Sequence, residues 1–187
     1  MPENYFVNDH IRFLRESFTR EHTIGAVVPS SAALTAKMLA PIDFTRARLI
    51  VELGPGTGVF TRALLSHMHP EAHLLALETN SNFRNHLRKI ADPRLRVSGQ
   101  SAIDLINMLT DSKADYIVSG IPLTLLTATE KHRLLIGVRD CLSLEGIFTQ
   151  FQYSLESYGT LKSIFPKVDL TFTPWNVPPA FVYTCRR

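Results

Sequence analysis

The chain has 187 residues, 45% of them hydrophobic, with a formal net charge of +3 and a pI of about 9.0. That size suits a single domain with a full core, residues 1–187, and the mild basicity is compatible with anionic lipid or nucleic acid while compelling neither. No run approaches the ~18 apolar residues of a spanning helix and the N-terminus lacks a signal-peptide pattern, so any membrane contact is expected to be peripheral. Cys141 and Cys185 lie far apart without metal-ligand spacing and read as reduced, partly buried thiols.

The chain opens on a candidate amphipathic helix within residues 5–22. Val7, Ile11, Leu14 and Phe18 form one stripe that Phe6 and Phe13 widen, and Asp9, Arg12, Arg15 and Glu16 take the opposite side. Two readings stand: a helix capping the core, or an interfacial helix that dips its aromatics into a bilayer. Its basic residues are balanced by acidic ones, which favours packing on composition alone. Residues 23–48 lead into the main fold. Thr23 to Ser31 has no helical period and reads as an extended loop, either a plain connector or a flap over the site that follows, ending in a Ser30 or Ser31 cap for a helix from Ala32 to Leu39.

Residues 49–187 form the core of the fold. Leu49 to Leu53 is an apolar, β-branched run that reads as a buried parallel strand. It breaks into Gly54-Pro55-Gly56-Thr57-Gly58 and then into a helical pattern from Val59 to about Met68. Strand, glycine turn and helix bring backbone close to a ligand at the carboxyl edge of a parallel sheet. The dinucleotide pattern fails, because Val59 stands where its third glycine belongs. Glu52 at the strand end repels a pyrophosphate and suits a cationic ligand. S-adenosylmethionine, with an ammonium, a sulfonium and no phosphate, fits that loop.

His67 and His69 are two residues apart, a spacing that does not converge on one helix face, so no metal site is expected. His73 to Leu77 is a second strand, and it ends in Glu78 followed by Thr79. An acidic residue at this strand end is where doubly wound folds hold ribose hydroxyls. Asn80 or Ser81 then caps a helix through Ile90. Leu95 to Ser98 is a third strand, followed by Gln100 and Ser101, either of which offers an oxygen to an adenine amino group. A helix to Leu109 follows.

Asp115 to Ser119 is a fourth strand, whose exit loop Gly120-Ile121-Pro122-Leu123 borders the same crevice. A helix over Thr129 to Leu142, a turn at Gly146, a fifth strand Ile147 to Tyr153, a helix from Leu155 to Phe165 and two closing strands, Val168 to Thr173 and Ala180 to Thr184, complete the chain. Five strand–helix units with a trailing antiparallel hairpin are the α/β layout of class I S-adenosylmethionine-dependent methyltransferases, a Rossmann-like doubly wound sheet.

Five segments together resemble the bacterial phospholipid N-methyltransferases that convert phosphatidylethanolamine toward phosphatidylcholine. They are Gly25-Ala26-Val27-Val28-Pro29-Ser30-Ser31, Val51 to Thr61, Ser119 to Leu123, Gln150-Phe151-Gln152-Tyr153 and Asn176-Val177-Pro178-Pro179-Ala180. The resemblance covers nearly the whole chain. It implies the class I fold, S-adenosylmethionine as cofactor with S-adenosylhomocysteine as product, and a phospholipid membrane, anionic in character, as partner. It also implies a cytoplasmic protein held peripherally on the membrane by Phe6, Ile11, Arg12, Phe13, Arg15 and Phe18, which reverses the composition-based preference for core packing.

For the site, the resemblance implies that Glu52 and the Gly54, Gly56, Thr57 and Gly58 turn take the methionine end of the cofactor. Glu78 and Thr79 take the ribose, Gln100 and Ser101 the adenine, and Gly25, Val28 and Ser119 complete the cofactor contacts. Backbone carbonyls around Gly120 and Ile121, with Pro122, Leu123 and Asn176, receive the substrate amine. Tyr153 and His22 are the candidate proton acceptors, each with a plain alternative: a core tyrosine and a surface histidine. Gln100 departs from the usual Asp. The related ribosomal RNA adenine dimethylases carry Asn-Leu-Pro-Tyr where this chain has Gly120 to Leu123. Loss of the amide and of the stacking ring, worth about 1–3 kcal/mol per base, argues against a nucleobase and leaves no nucleic-acid partner expected. RNA or a small soluble amine as acceptor, and a non-catalytic domain on the same fold, are the rival readings.

Overall fold

The computed structural model describes residues 29–110 and 112–187. The expectations placed on residues 5–28, including His22, Gly25, Val28 and the stripe of Phe6, Ile11, Phe13 and Phe18 with Arg12 and Arg15, lie outside the described residues.

The elements run α1 (Pro29–Leu39), β1 (Leu49–Leu53), α2 (Val59–His67), β2 (His73–Leu77), α3 (Ser81–Leu87) and β3 (Leu95–Ser98). After a 3₁₀ turn (Ala102–Asp104) come α4 (Leu105–Met108), β4 (Ala114–Ser119), a second 3₁₀ turn (Leu123–Leu125), α5 (Ala128–Cys141), β5 (Leu142–Gln152), α6 (Tyr158–Ile164), β6 (Lys167–Thr173) and β7 (Ala180–Arg186). Seven strands form one sheet in the order β3-β2-β1-β4-β5-β7-β6. β1 to β5 are parallel, and β7 runs antiparallel between β5 and β6. This is the class I methyltransferase layout expected from the sequence.

The alternation of β1 divides the core. Val51 and Leu53 join the cluster of Ile117, Phe148, Leu134, Leu135, Val138 and Leu161 under α5 and α6. Ile50 joins Met38, Leu64, Leu65, Val118 and Phe151 under α1 and α2. A central strand buried on both faces is the reason its sequence reads as a continuous apolar run. The order reverses between β1 and β4. Their carboxyl ends therefore leave a crevice, the switch point where doubly wound sheets bind ligands.

Several boundaries differ from the sequence reading. α1 starts at Pro29, ahead of the expected serine cap, because proline is well suited to the first helical position. β5 starts at Leu142, directly after α5, and not beyond Gly146. Ala114 pairs with Leu142 and Tyr116 with Ile147, so the extra residues around Gly146 bulge out of the ladder. A Cβ on Gly146 would lie 2.9 Å from the Leu142 Cβ and from Ser143 backbone, which is why glycine stands there. α5 begins one residue early, on a capping box in which Thr127 accepts from the Glu130 amide and Glu130 accepts from the Thr127 amide. Cys141 and Cys185 are both buried free thiols, and burial pushes Cys185 up to about 12.

Candidate active site

The glycine turn is stitched by its own backbone and by its neighbours. Gly54, Gly56 and Gly58 all have positive φ (68°, 55° and 82°), a region that side chains rarely enter. At Gly58 a Cβ would also meet Leu87 at 2.8 Å and the Arg62 guanidinium at 3.0 Å. Arg62 donates to the carbonyls of Thr57 (2.9 Å) and Gly58 (3.1 Å), tying α2 to the loop. At Gly56 a Cβ would meet nothing within 4 Å, so open space lies over the middle of the turn.

Glu78, at the end of β2, fixes this turn from the side. Its Oε2 accepts from the Gly56 amide (3.0 Å) and its Oε1 from the Asn80 amide (2.7 Å). One carboxylate thus joins the first and second strand-end loops. The Arg84 guanidinium donates to the Glu78 and Thr79 carbonyls (3.0 and 2.6 Å), holding α3 against the same loop.

Glu52 lies on the α1–α2 face of β1, fully buried. Thr61 of α2 donates its hydroxyl to Oε2 at 2.7 Å, and Oε1 has no partner among the described residues. Burial pushes this carboxyl up to about 7; the Thr61 hydrogen bond pulls the other way, and the nearby Glu78 charge adds to the rise. An orphaned carboxylate oxygen beneath a glycine turn asks for a donor, preferably a cationic one.

The β4 exit loop packs backbone to backbone on the turn. Gly120 donates to the Leu53 carbonyl at 2.8 Å, and a Cβ on Gly120 would lie 2.8 Å from the Gly54 carbonyl oxygen. The Ser119 hydroxyl accepts from the Ile121 amide (3.2 Å) and is buried, so it shapes this loop from within. The Ile121 carbonyl accepts from Gln150 Nε2 (3.0 Å) and Gln152 Nε2 (3.2 Å). This corrects one expectation: with both lone pairs engaged, that carbonyl anchors the loop and is not the one that receives an amine. Among the described residues no donor reaches the Gly120 carbonyl. Leu123 has no exposed surface and packs in the core under α5, so it backs the crevice and does not line it.

The remaining sequence-predicted residues fall as follows. Gln100 is exposed beside the end of β3. The Ser101 hydroxyl caps the following 3₁₀ turn through the Ile103 amide. Thr57 and Thr79 border the loops that Arg62 and Arg84 grip, and Pro122 follows Ile121 at the crevice rim. Tyr153 is half-buried edge-on to Phe151, with ring centroids 5.7 Å apart. It lies on the same sheet face as Glu52. Asn176 is buried in the β6–β7 turn, where its amide donates to the Pro178 carbonyl at 2.7 Å.

The sequence reading missed the brackets: Thr61 for Glu52, Arg84 for the Glu78 loop, and the paired glutamines for Ile121. The glutamines did leave a signal. Two amides at alternate positions on one face of an otherwise buried strand must have found partners.

The site fits S-adenosylmethionine on three observations: a buried acidic oxygen without a partner among the described residues, a turn opened by three glycines, and a strand-end carboxylate beside it. Two carboxylates leave no place for a phosphate. A groove of about 770 Å³ lies elsewhere, lined by Ile103, Ile106, His132, Arg133 and Ile136 between α4 and α5. It holds none of the strand-end residues and belongs to the helical outer face.

The fold and this crevice define a class I S-adenosylmethionine-dependent methyltransferase. Solved structures agree on the fold. The DhpI complex with S-adenosylhomocysteine matches at a TM-score of 0.69 and 15% identity over 96% of both chains. The Burkholderia thailandensis 1,6-didemethyltoxoflavin-N1-methyltransferase, with S-adenosylhomocysteine bound, matches at 0.67 and 17% identity over 100% of this chain and 92% of that one. The Geobacter metallireducens precorrin-6y C5,15-methyltransferase matches at 0.63 and 16% identity over 82% and 87%. No protein-family model matches. In sequence, the chain is 30% identical over 186 residues to the ornithine lipid N-methyltransferase of Singulisphaera acidiphila, covering 96% of this chain and 97% of the relative. The chain belongs to the lipid N-methyltransferase family, and its cofactor is S-adenosylmethionine.

Proposed function

We propose that this chain methylates the amine head group of a membrane lipid at the membrane surface, with phosphatidylethanolamine and its methylated intermediates as substrates. The observation that carries the reading is the junction of two loops. The glycine turn held by Glu78 touches, backbone to backbone, an acceptor loop at Gly120 and Ile121 that offers no charge and no aromatic ring. Such a surface suits a small amine and gives a nucleobase nothing to stack on.

Bound S-adenosylmethionine supplies a methyl group activated by its sulfonium and is left as S-adenosylhomocysteine. The chain's part is positioning, which suits a reaction in which little charge remains to be stabilised. Glu52 takes the cofactor's ammonium, Glu78 the ribose hydroxyls and Gln100 the adenine edge. The Gly120 carbonyl accepts a hydrogen bond from the substrate amine. A protonated amine has no lone pair, so a base must take its proton first. Tyr153, on the Glu52 face, and His22 are the candidates.

A second substrate is favoured by the curated relative, which acts on ornithine lipid. Ethanolamine and ornithine head groups both end in a primary amine, and the described loop discriminates neither. The test is purified protein with methyl donor and mixed vesicles of both lipids, read by mass spectrometry. Methylated phosphatidylethanolamine supports the first assignment, methylated ornithine lipid alone replaces it with the second, and neither product ends the lipid reading. For the N-terminal stripe, Phe6, Phe13 and Phe18 changed to Ser together should weaken flotation with anionic vesicles. Unchanged flotation would remove the interfacial helix.

A further inference from the structure

The β6–β7 turn runs against the usual pattern of loops. Trp175 is 80% exposed and Val177 68%, while the polar Asn176 between them is 5% exposed. Asn176 is turned inward to donate to the Pro178 carbonyl, and its own amide donates to the Thr173 carbonyl. With Pro174, Pro178 and Pro179 around it, the turn is a stiff wedge with two apolar side chains outward. Proline and an internal staple remove conformational freedom before any partner arrives.

Its position matters. β6 runs in the same direction as β1 to β5, so its far end lies at the carboxyl edge of the sheet, the edge of the glycine turn. Gln152, which helps hold Ile121, pairs with Phe181, and Phe181 pairs with Phe172. Phe172 and Leu155 are half-exposed at the same edge, with Phe172 against Phe181 at 5.1 Å between ring centroids. No Asp, Glu, Lys, Arg or His occurs from Leu170 to Cys185. The hairpin's charges, Lys167, Asp169 and Arg186, all sit at its other end. Apolar surface gathered on one tip marks an interaction site, and an uncharged tip carrying a tryptophan suits the zone between head groups and acyl chains better than a soluble partner.

We propose that Trp175 and Val177 form a membrane-docking tip. The β6–β7 turn enters the outer layer of a lipid bilayer beside the crevice and brings its mouth down to the head groups. This inference rests on the lipid reading above for its choice of a bilayer over another partner.

Trp175 is the only tryptophan in the chain, so the intact protein reports on the tip directly. With vesicles of phosphatidylethanolamine and phosphatidylglycerol, its emission should shift to shorter wavelength and be quenched when the acyl chains carry bromine. Vesicles that carry the protein up a density gradient without shift or quenching would overturn the proposal. So would a shift that depends on protein concentration and needs no vesicles, which would assign the tip to a second copy.

The variant carrying Trp175→Ser and Val177→Ser gives an independent readout. Methyl transfer to lipid in vesicles should fall about tenfold or more, while transfer to the same lipid dispersed in detergent stays within about twofold. Equal loss in both would overturn docking and place the residues in the fold or the site. Quenching of the parent by brominated lipid without methyl transfer in either presentation would leave docking standing and remove the proposed activity instead.

Discussion

The two oxygens of Glu78 hold amides from separate loops, those of Gly56 and Asn80, so the residue shapes the crevice before any cofactor arrives. Charge-assisted hydrogen bonds of this kind contribute about 1.5–3 kcal/mol each. Glu78→Ala should therefore weaken S-adenosylmethionine binding by about tenfold to a hundredfold in calorimetry, and unchanged affinity would refute the cofactor placement. Glu52 gives a pH signature. Burial raises its carboxyl from 4.5 to about 7, so the folded protein keeps a proton that the unfolded chain releases. Its contribution to stability is full below about pH 4.5 and is lost as pH rises toward about 7. Without cofactor, the melting temperature should fall across that window more steeply in the parent than in Glu52→Gln. A cationic ligand favours the ionised carboxylate, so cofactor affinity should rise over the same window and flatten in Glu52→Gln. Parallel profiles for the two proteins would show that Glu52 does not titrate there.

Among the elements, local chemistry decides the boundaries and the sheet decides the rest. Thr127→Ala removes the capping box of α5 and should cost about 1 kcal/mol by chemical denaturation, with cofactor affinity intact because the box lies outside the crevice. Gly58→Ala should cost more, since φ 82° and two close neighbours leave no room for a Cβ. The central strands and the glycine turn were legible in the sequence, because burial on both faces leaves an unbroken apolar run and a positive φ leaves a glycine. The start of β5 was not legible. Gly146 reads as a turn from its neighbours alone, and only pairing of Leu142 with Ala114 shows that the strand begins before it. The brackets around the site were hidden for a related reason. Thr61 reaches Glu52 across nine residues and Gln150 reaches Ile121 across 29, separations that local periodicity does not encode. Asn176, expected from the resemblance to touch the substrate, donates its side-chain amide to the Pro178 carbonyl of its own turn.

At the scale of the whole molecule, the strand order brings the strand-end residues Glu52, Glu78, Gln100, Gly120 and Tyr153 to one edge of the sheet. β1, β2 and β3 end at the proposed cofactor half, β4 and β5 at the proposed acceptor half, and the β6–β7 turn lies at the same edge. No helix among the described residues is long and apolar enough to cross a membrane. The rival acceptor is RNA, which the related adenine dimethylases modify with an amide and a ring that Gly120 to Leu123 lack. The most direct test gives the purified chain isotopically labelled S-adenosylmethionine together with vesicles containing phosphatidylethanolamine and ornithine lipid and with bulk RNA, and then separates the fractions. Label in the lipid fraction, lost in Glu78→Ala, is the predicted result, and label confined to the RNA would contradict it.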